Sequence, residues 1–332
     1  MKAVVFDRTG PPEQVLELRN LPAPKPGKGE VRVRMLASPI NPSDLLYIEG
    51  KYGLKPKFPA TPGFEGVGVV EESGGGLLGR YLRGKRVVAM NDRTGNWAEE
   101  AVTSARQCIP VPSDLTDAQA ATFFVNPATA IALTGSILTI PQGYYLLQTA
   151  AGSALGKMVI RLGISNGFRT INVVRRREQV EELKRLGGDI VLCEADGPID
   201  EQVRSATKSE GVRFAIDPVG GEVGAQVVRS LGPKGKAVFY GLLSGQPVTI
   251  DPRFLITGGK SVRGFWLGDW VKAQPFFDKL KLIKKIRKLV RSGVLATEIG
   301  GTYPLEKVTD AVREAATPGK TGKVLLTIKS SD

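Results

Sequence analysis

The sequence contains no histidine at all and only two cysteines, Cys108 and Cys193. The first absence excludes a Ser-His-Asp triad, a histidine general base and the ordinary His-containing zinc site. The second excludes a disulfide framework and a four-cysteine zinc lobe, and suits a reducing, cytoplasmic compartment. Long apolar runs are also missing, so no segment has the length of a membrane-spanning helix. The N-terminus MKAVVFDRTG lacks the apolar core and cleavage site of a secretory signal and reads as a strand. Acidic residues are comparatively scarce: 33 Asp and Glu stand against 46 Lys and Arg, giving a net charge of +13. That surplus suits anionic partners such as phosphorylated cofactors, coenzyme A or an acidic carrier protein. It is spread along the chain and lacks a recognised RNA module or interleaved exposed aromatics, so nucleic acid is not the expected partner.

What is present is a chain of 332 residues, long enough for two domains, with the 42% hydrophobic and 24% charged content of a globular protein. The first third is short strands and turns: residues 2–6 with 13–18 as a hairpin partner, then 30–35, 66–70 and 86–89, with a further strand led into by 96–102. This pattern predicts a small β-barrel-like domain. Asn41-Pro42-Ser43-Asp44 reads as a turn capping a short helix at 45–49. Near Asp117 the pattern changes to strands alternating with helices. Helices are expected at 117–124, 127–137 and 178–186, and strands at 144–147, 170–174, 190–193, 214–216, 237–240 and 261–265. Six strands with crossover helices are the doubly wound α/β pattern. A helix at 276–291 places Leu280, Ile283, Ile286 and Val290 on one face and seven Lys and Arg on the other, which reads as a solvated outer face. The last strand, 322–328, is expected to return to the first domain.

The segment YYLLQTAAGSALGKMVIRLGISNGFRTINVVRRR, from Tyr144 to Arg177, organises the second part. It reads as strand, small-residue turn, helix at 157–162, a break at 163–167, and a second strand. The three positions of the G-x-G-x-x-G fingerprint hold Ala151, Ser153 and Gly156, with Gly152 among them. Small residues keep the turn open for backbone N–H groups to approach a pyrophosphate at the helix start. An ordinary strand-to-helix turn is the plain alternative. The second strand ends in Arg175, Arg176 and Arg177 where an NAD-preferring site carries an acid. Guanidinium forks match a 2′-phosphate, which points to NADPH.

The chain resembles the zinc-free medium-chain dehydrogenase/reductases along its whole length, and within them the 2-enoyl thioester reductases of the mitochondrial fatty-acid-synthesis type. The residues that carry this are INPSDLLYIEGKYG, FEGVGVV, GNWAEEAV, VNPATA, QTAAGSALG, FRTINVVRRR, DPVGG, FYGLLSGQP, RGFWL and GKVLLTI. The resemblance implies a GroES-like catalytic domain, residues 1–120 completed by 271–332, around a Rossmann domain at 121–270 with strand order 3-2-1-4-5-6. It implies NADPH-dependent reduction of the C=C bond of a trans-2-enoyl thioester, with an NADPH:quinone oxidoreductase as the neighbouring alternative. The family's site tyrosine falls on Tyr52. Its cofactor positions fall on Asn126, Gly152, Ser153, Ala154, Leu155, Arg175, Arg177, Tyr240, Gly241 and Leu242. Phe265, Trp266 and Leu267 would line the cofactor and acyl pocket, and Lys323 would reach the cofactor from the last strand. Arg176 departs from the family's usual acidic residue. Gly63-Phe64-Glu65 stands where zinc-dependent relatives carry a glycine-histidine-glutamate ligand motif, so no metal is expected. An acyl carrier protein is a candidate partner, and a homodimer through residues 261–265 is expected.

From the residues themselves, Tyr52 sits in a loop between Gly50 and Gly53 and carries a hydroxyl whose ordinary pKa of about 10 keeps it protonated at neutral pH. Hydride addition to a conjugated double bond builds charge on the carbonyl oxygen and then requires a proton at Cα, and a tyrosine can serve either need. A surface loop tyrosine fits the same pattern. Tyr47 reads as packing on the short helix, Asn126 as a helix cap, Asp217 as a turn residue, and the two cysteines as structural.

Overall fold

The computed structural model describes residues 1–320 and 322–328. The chain divides into two compact units, one built from Met1–Phe124 and the segment from Thr297 on, the other from Val125–Ala296. The divisions fall after residues 124 and 296 rather than after 120 and 270. Helix Phe276–Arg291 packs on helix Val125–Ile131, and Arg161 donates to the carbonyls of Val294 at 3.0 Å and Ala296 at 2.6 Å. These contacts hold residues 271–296 to the second unit.

The strands, in chain order, are β1 Lys2–Val5, β2 Glu17–Asn20, β3 Glu30–Pro39, β4 Glu65–Ser73, β5 Arg86–Met90, β6 Glu100–Ser104 and β7 Cys108–Pro110, then β8 Tyr145–Gln148, β9 Arg169–Val174, β10 Ile190–Cys193, β11 Val212–Asp217, β12 Leu231–Phe239 and β13 Ser261–Gly264, and finally β14 Ile299–Pro304 and β15 Lys323–Thr327.

In the first unit β14-β15-β3-β4-β5-β7 form one sheet, with β6 also paired to β3. The alternation read in residues 30–35 is met: Val31, Val33 and Met35 are buried. They enter a core with Phe6, Ile48, Trp97 and Leu326. β15 pairs antiparallel with β3, so the last strand closes the first unit as expected. The hairpin partner of β1 is Glu17–Asn20, because Pro12–Val15 form a short helix with proline at its start. Helix Pro42–Ile48 begins earlier than 45, since Asn41 already acts as its N-cap.

In the second unit all six strands run parallel in the order β10-β9-β8-β11-β12-β13, which is 3-2-1-4-5-6 in the unit's own sequence of strands. Helices cover both faces. Leu147, Ile171 and Ala215 pack with Ile199, Val203 and Val227 on one side, and Ala151, Ile160, Val174 and Leu183 cluster on the other. The expected break at 163–167 is absent: the helix runs Ala154–Asn166 and stops at Gly167, whose φ of +80° is the left-handed C-terminal cap. Gly163 is there for packing. A Cβ on it would lie 2.9 Å from the Phe168 carbonyl oxygen. The helix expected at 127–137 starts at Val125 and widens into a π-helical turn over Ala132–Ile137.

Candidate active site

The turn after β8 is built for close backbone approach. Ala150 takes a φ of +49°, unusual for a residue with a Cβ. The Ala151 amide bonds the Val173 carbonyl at 3.0 Å, tying the turn to β9. Ser153 caps helix Ala154–Asn166, its hydroxyl accepting from the Gly156 amide at 3.1 Å. A Cβ at Gly156 would come within 2.4 Å of the Ala151 carbonyl oxygen, so only glycine lets the helix begin here. Beneath it Gln148, fully buried, donates to the Gly156 carbonyl at 3.0 Å and to Asn172 at 2.7 Å. The turn therefore offers a helix N-terminus held rigidly, with Gly152 half-buried and Ser153 exposed along it. Ala154 and Leu155 form the first turn of the helix, Leu155 facing inward.

Arg175, Arg176 and Arg177 follow β9, all exposed. Arg177 forms an ion pair with Asp196 at 2.6 Å. Arg175 lies close enough to Glu194 to oppose the rise in pKa that burial gives that carboxyl. Two acids from the segment after β10 thus face the arginines, which sequence reasoning missed. They stand some twenty residues away, and only the parallel β9–β10 pairing brings them alongside.

The loops after β11 and β12 are laced together. Asp217 is fully buried and accepts from the Thr149 hydroxyl, from the Gly220 amide at 2.7 Å and from the Val219 amide at 3.2 Å. Burial still pushes its pKa up against these bonds. Its role as a turn residue holds. Tyr240 is half-buried; burial of its hydroxyl, with the Asp217 charge second, raises its pKa. Its amide bonds the Asp217 carbonyl at 3.0 Å, and Gly241 and Leu242 continue as an exposed loop against Pro218. Phe265, Trp266 and Leu267 are half-buried at the end of β13, where Phe265 extends the ladder to Phe239 and packs on Trp270 at 6.3 Å. Asn126 is half-buried inside the first turn of helix Val125–Ile131, two residues past the position of its N-cap. All these positions except Asn126 belong to the turn, strand ends and loops at the carboxyl edge of the parallel sheet, where open α/β sheets bind ligands.

In the first unit the loop carrying Tyr52 hangs on helix Pro42–Ile48. The Tyr52 amide bonds the Leu46 carbonyl at 3.1 Å, Gly50 turns with a φ of +73°, and the half-buried ring lies 5.3 Å from that of Phe64. Tyr47 packs between Phe6 and Phe64 and is buried, as expected. Under this aromatic layer lies a charged cluster that the sequence did not announce. Asp44 accepts from the amides of Asn41 at 2.7 Å and Phe64 at 2.9 Å. Its burial raises its pKa to about 6 against those bonds and against Lys323. Lys323 is buried and donates to the Asn41 side chain at 2.8 Å. Burial lowers its pKa while Glu65 and Asp44 raise it. Glu65 accepts from the Phe124 amide at 2.6 Å. Lys323 is thus engaged by Asn41 and faces the charges of Asp44 and Glu65 within the first unit. Cys108 and Cys193 are buried, and burial pushes the Cys108 thiol up to about 12.

Comparison with known proteins fits this architecture. Residues 27–113 match the family described as alcohol dehydrogenase GroES-like domain, and residues 154–285 the family described as zinc-binding dehydrogenase. A mitochondrial enoyl-[acyl-carrier-protein] reductase from Xenopus tropicalis is 37% identical over 98% of this chain and 95% of that protein. The chain belongs to the medium-chain dehydrogenase/reductase family. The human enoyl-[acyl-carrier-protein] reductase, also mitochondrial, is 35% identical over 99% of this chain and 89% of its own length. Among solved structures, a Bacillus thuringiensis protein named as a putative NADPH:quinone reductase superposes with a TM-score of 0.90 at 34% identity, covering 98% of both chains. A mycobacterial member complexed with NADPH gives 0.89 at 26% identity, covering 98% of this chain and 99% of that one.

Proposed function

We propose that this enzyme reduces the carbon–carbon double bond of a trans-2-enoyl thioester, using NADPH. The observation that carries the reading is the near full-length identity of 35–37% to enoyl-[acyl-carrier-protein] reductases from vertebrates. The 34% identity to a quinone reductase of the same fold keeps NADPH:quinone oxidoreduction as the second reading.

The residues of the second unit fit a dinucleotide. The capped helix start at Ser153 and the Gly156 close approach suit a pyrophosphate, and exposed Arg175 suits a 2′-phosphate. Asn126, Gly152, Ala154, Leu155, Arg177, Tyr240, Gly241 and Leu242 complete the binding surface on this reading. Phe265, Trp266 and Leu267 supply apolar wall for cofactor and acyl group. Lys323 acts indirectly, through Asn41, by holding the helix from which the Tyr52 loop hangs.

When bound, the nicotinamide supplies the hydride that reaches Cβ. The chain's own work is the rest. The hydroxyl of Tyr52 donates toward the thioester carbonyl oxygen, where negative charge develops, or delivers the proton that Cα takes up. Phe64, against which its ring packs at 5.3 Å, helps hold the ring in place. No metal enters this scheme: the sequence has no histidine, and Glu65 is engaged by the Phe124 amide. Exhaustive chelation is expected to leave activity unchanged. Zinc lost in step with activity would refute metal independence.

The deciding experiment is a panel of medium-chain enoyl thioesters and simple quinones with NADPH. Reduction of thioesters supports the reading; reduction of quinones alone replaces it with the second. The two buried, unpaired thiols suit a reducing compartment, cytoplasmic on our reading, although the vertebrate relatives are named as mitochondrial.

A further inference from the structure

The helix Phe276–Arg291 is packed differently from the pattern its sequence suggests. Leu282, Ile286 and Val290 face inward and are buried, while Leu280 is 46% exposed. Phe276 and Phe277 are 68% and 72% exposed, and their rings meet edge to face at 5.7 Å. At 3.6 residues per turn, the half of the helix turned away from the buried residues holds positions 277, 280, 281, 284, 285, 287, 288 and 291, with positions 276 and 278 at its two margins. Those eight outward positions read Phe, Leu, Lys, Lys, Lys, Arg, Lys and Arg, with exposed Phe276 at one margin and Asp278 at the other. Asp278 lies beside this face and pairs with Lys281 at 3.0 Å. Lys284, Lys285 and Lys288 remain as exposed cations with no carboxylate spaced three or four residues away on the helix to neutralise them.

A merely solvated face explains the lysines and not the phenylalanines. Two large aromatic rings and a leucine, grouped on the first turns and continuous with a cationic stripe, are the ingredients of a protein docking surface. The charge fixes the sign of the partner, and the convex, open form of a helix face fixes its size: it offers no concavity for a small anion such as coenzyme A. We infer that this face docks an acidic carrier protein, the macromolecular form of the enoyl thioester substrate. Phe276, Phe277 and Leu280 form its apolar contact, and Lys284, Lys285 and Lys288 draw the carrier's carboxylates. This rests on the thioester reading above and decides which thiol carries the acyl group. The cationic stripe predicts fast, salt-sensitive capture, and the aromatic pair predicts the anchoring contact.

The test uses the full chain and two double variants, Lys284→Glu with Lys288→Glu, and Phe276→Ser with Phe277→Ser. All four positions are exposed, so both variants should fold as the parent does. One medium-chain enoyl group is presented on an acidic acyl carrier protein and on coenzyme A. The lysine variant is expected to lose at least tenfold in kcat/KM with the carrier-linked substrate and to stay within about twofold with the coenzyme A thioester. Raising salt should erase the parent's advantage on the carrier (the Debye length falls from about 10 Å at 0.1 M to about 3 Å at 1 M). The phenylalanine variant should show the same selective loss with less salt dependence. Direct binding of carrier protein without its enoyl group, followed by sedimentation, gives a readout independent of the chemistry. Binding lost in both variants supports the docking face even if the thioester is not reduced, in which case only the functional reading falls. Equal losses on both substrates, or unchanged carrier binding, overturn the proposal. Binding to phosphatidylglycerol vesicles or single-stranded RNA in place of the carrier also overturns it, as does a parent dimer that either variant turns into a monomer.

Discussion

The carboxylate of Asp44 bridges two segments that both support Tyr52: it accepts the Asn41 amide at the start of one helix and the Phe64 amide just ahead of β4, at 2.7 and 2.9 Å. Because the group is buried, its pKa is raised from 3.8 to about 6. A raised carboxyl pKa means that the folded state holds the proton more tightly than the unfolded chain. Its contribution is therefore fully present below pH 4 and is lost as pH rises through 6. The span corresponds to about 3 kcal/mol as an order of magnitude. Asp44→Asn removes that titration. The stability difference between parent and variant should shrink by about that amount between pH 4 and pH 7, on top of a constant offset from altered hydrogen bonds. Denaturant midpoints across this range check it; parallel pH curves would show that Asp44 does not titrate there.

Cofactor preference follows from unequal arginines. Arg177 is already paired with Asp196, whereas Arg175 has only the weaker influence of Glu194. Arg175→Ala should therefore raise the KM for NADPH by at least about tenfold and leave that for NADH nearly unchanged, since lost charged hydrogen bonds are worth about a decade each. Arg177→Ala should cost less, because Asp196 competes for it. Asp196→Asn should tighten NADPH binding by freeing Arg177. Steady-state kinetics with both cofactors test the set. Equal efficiency of NADPH and NADH in the parent would overturn the whole assignment.

The extent to which the sequence foretold this molecule depends on the range of the forces involved. The β8 turn and the helix after it were legible because their requirements are local: small residues at 151–153 and a glycine at 156 with no room for a Cβ. The six strands were legible from their apolar runs, and their order from the family resemblance. The break read at Gly163 was wrong because glycine also serves close packing, here against Phe168. The inward placement of Leu280 failed for a related reason: a helix face is set by what it meets, and Leu282 takes the buried register. The Asp44–Asn41–Lys323 network was invisible, since Lys323 stands 282 positions from Asn41 and only the β3–β15 pairing joins them.

Assembly can be predicted from the open edge of the second sheet. Among the described residues β13 is paired only with β12. Its exposed members include Arg263, a charged side chain of the kind that guards an edge, so the edge is less apolar than its place in the sheet suggests. Pairing of two copies through this strand would bury those free backbone groups. A two-fold homodimer is expected by sedimentation in dilute solution, and Val262→Pro, which removes a backbone donor and stiffens the edge, should shift it toward monomer. A monomeric parent would count against this mode of assembly.

The sharpest test concerns the Tyr52 hydroxyl. Its loop is fixed at the backbone by Leu46 and its ring by Phe64, so Tyr52→Phe preserves position and removes one functional group. Positioned proton transfer or donation to a developing oxyanion is typically worth about 10²–10⁴-fold. The variant should lose at least about tenfold in kcat on a medium-chain enoyl thioester, with water covering part of the deficit. NADPH affinity should change little, because the β8 turn and Arg175 belong to the other unit. A quinone takes hydride readily and its product collects protons from solvent, so quinone reduction should be nearly indifferent to the change. A selective loss on the thioester therefore supports both the chemistry and the role of this hydroxyl. Full thioester activity in Tyr52→Phe would leave the fold and the reaction standing and remove Tyr52 from the mechanism.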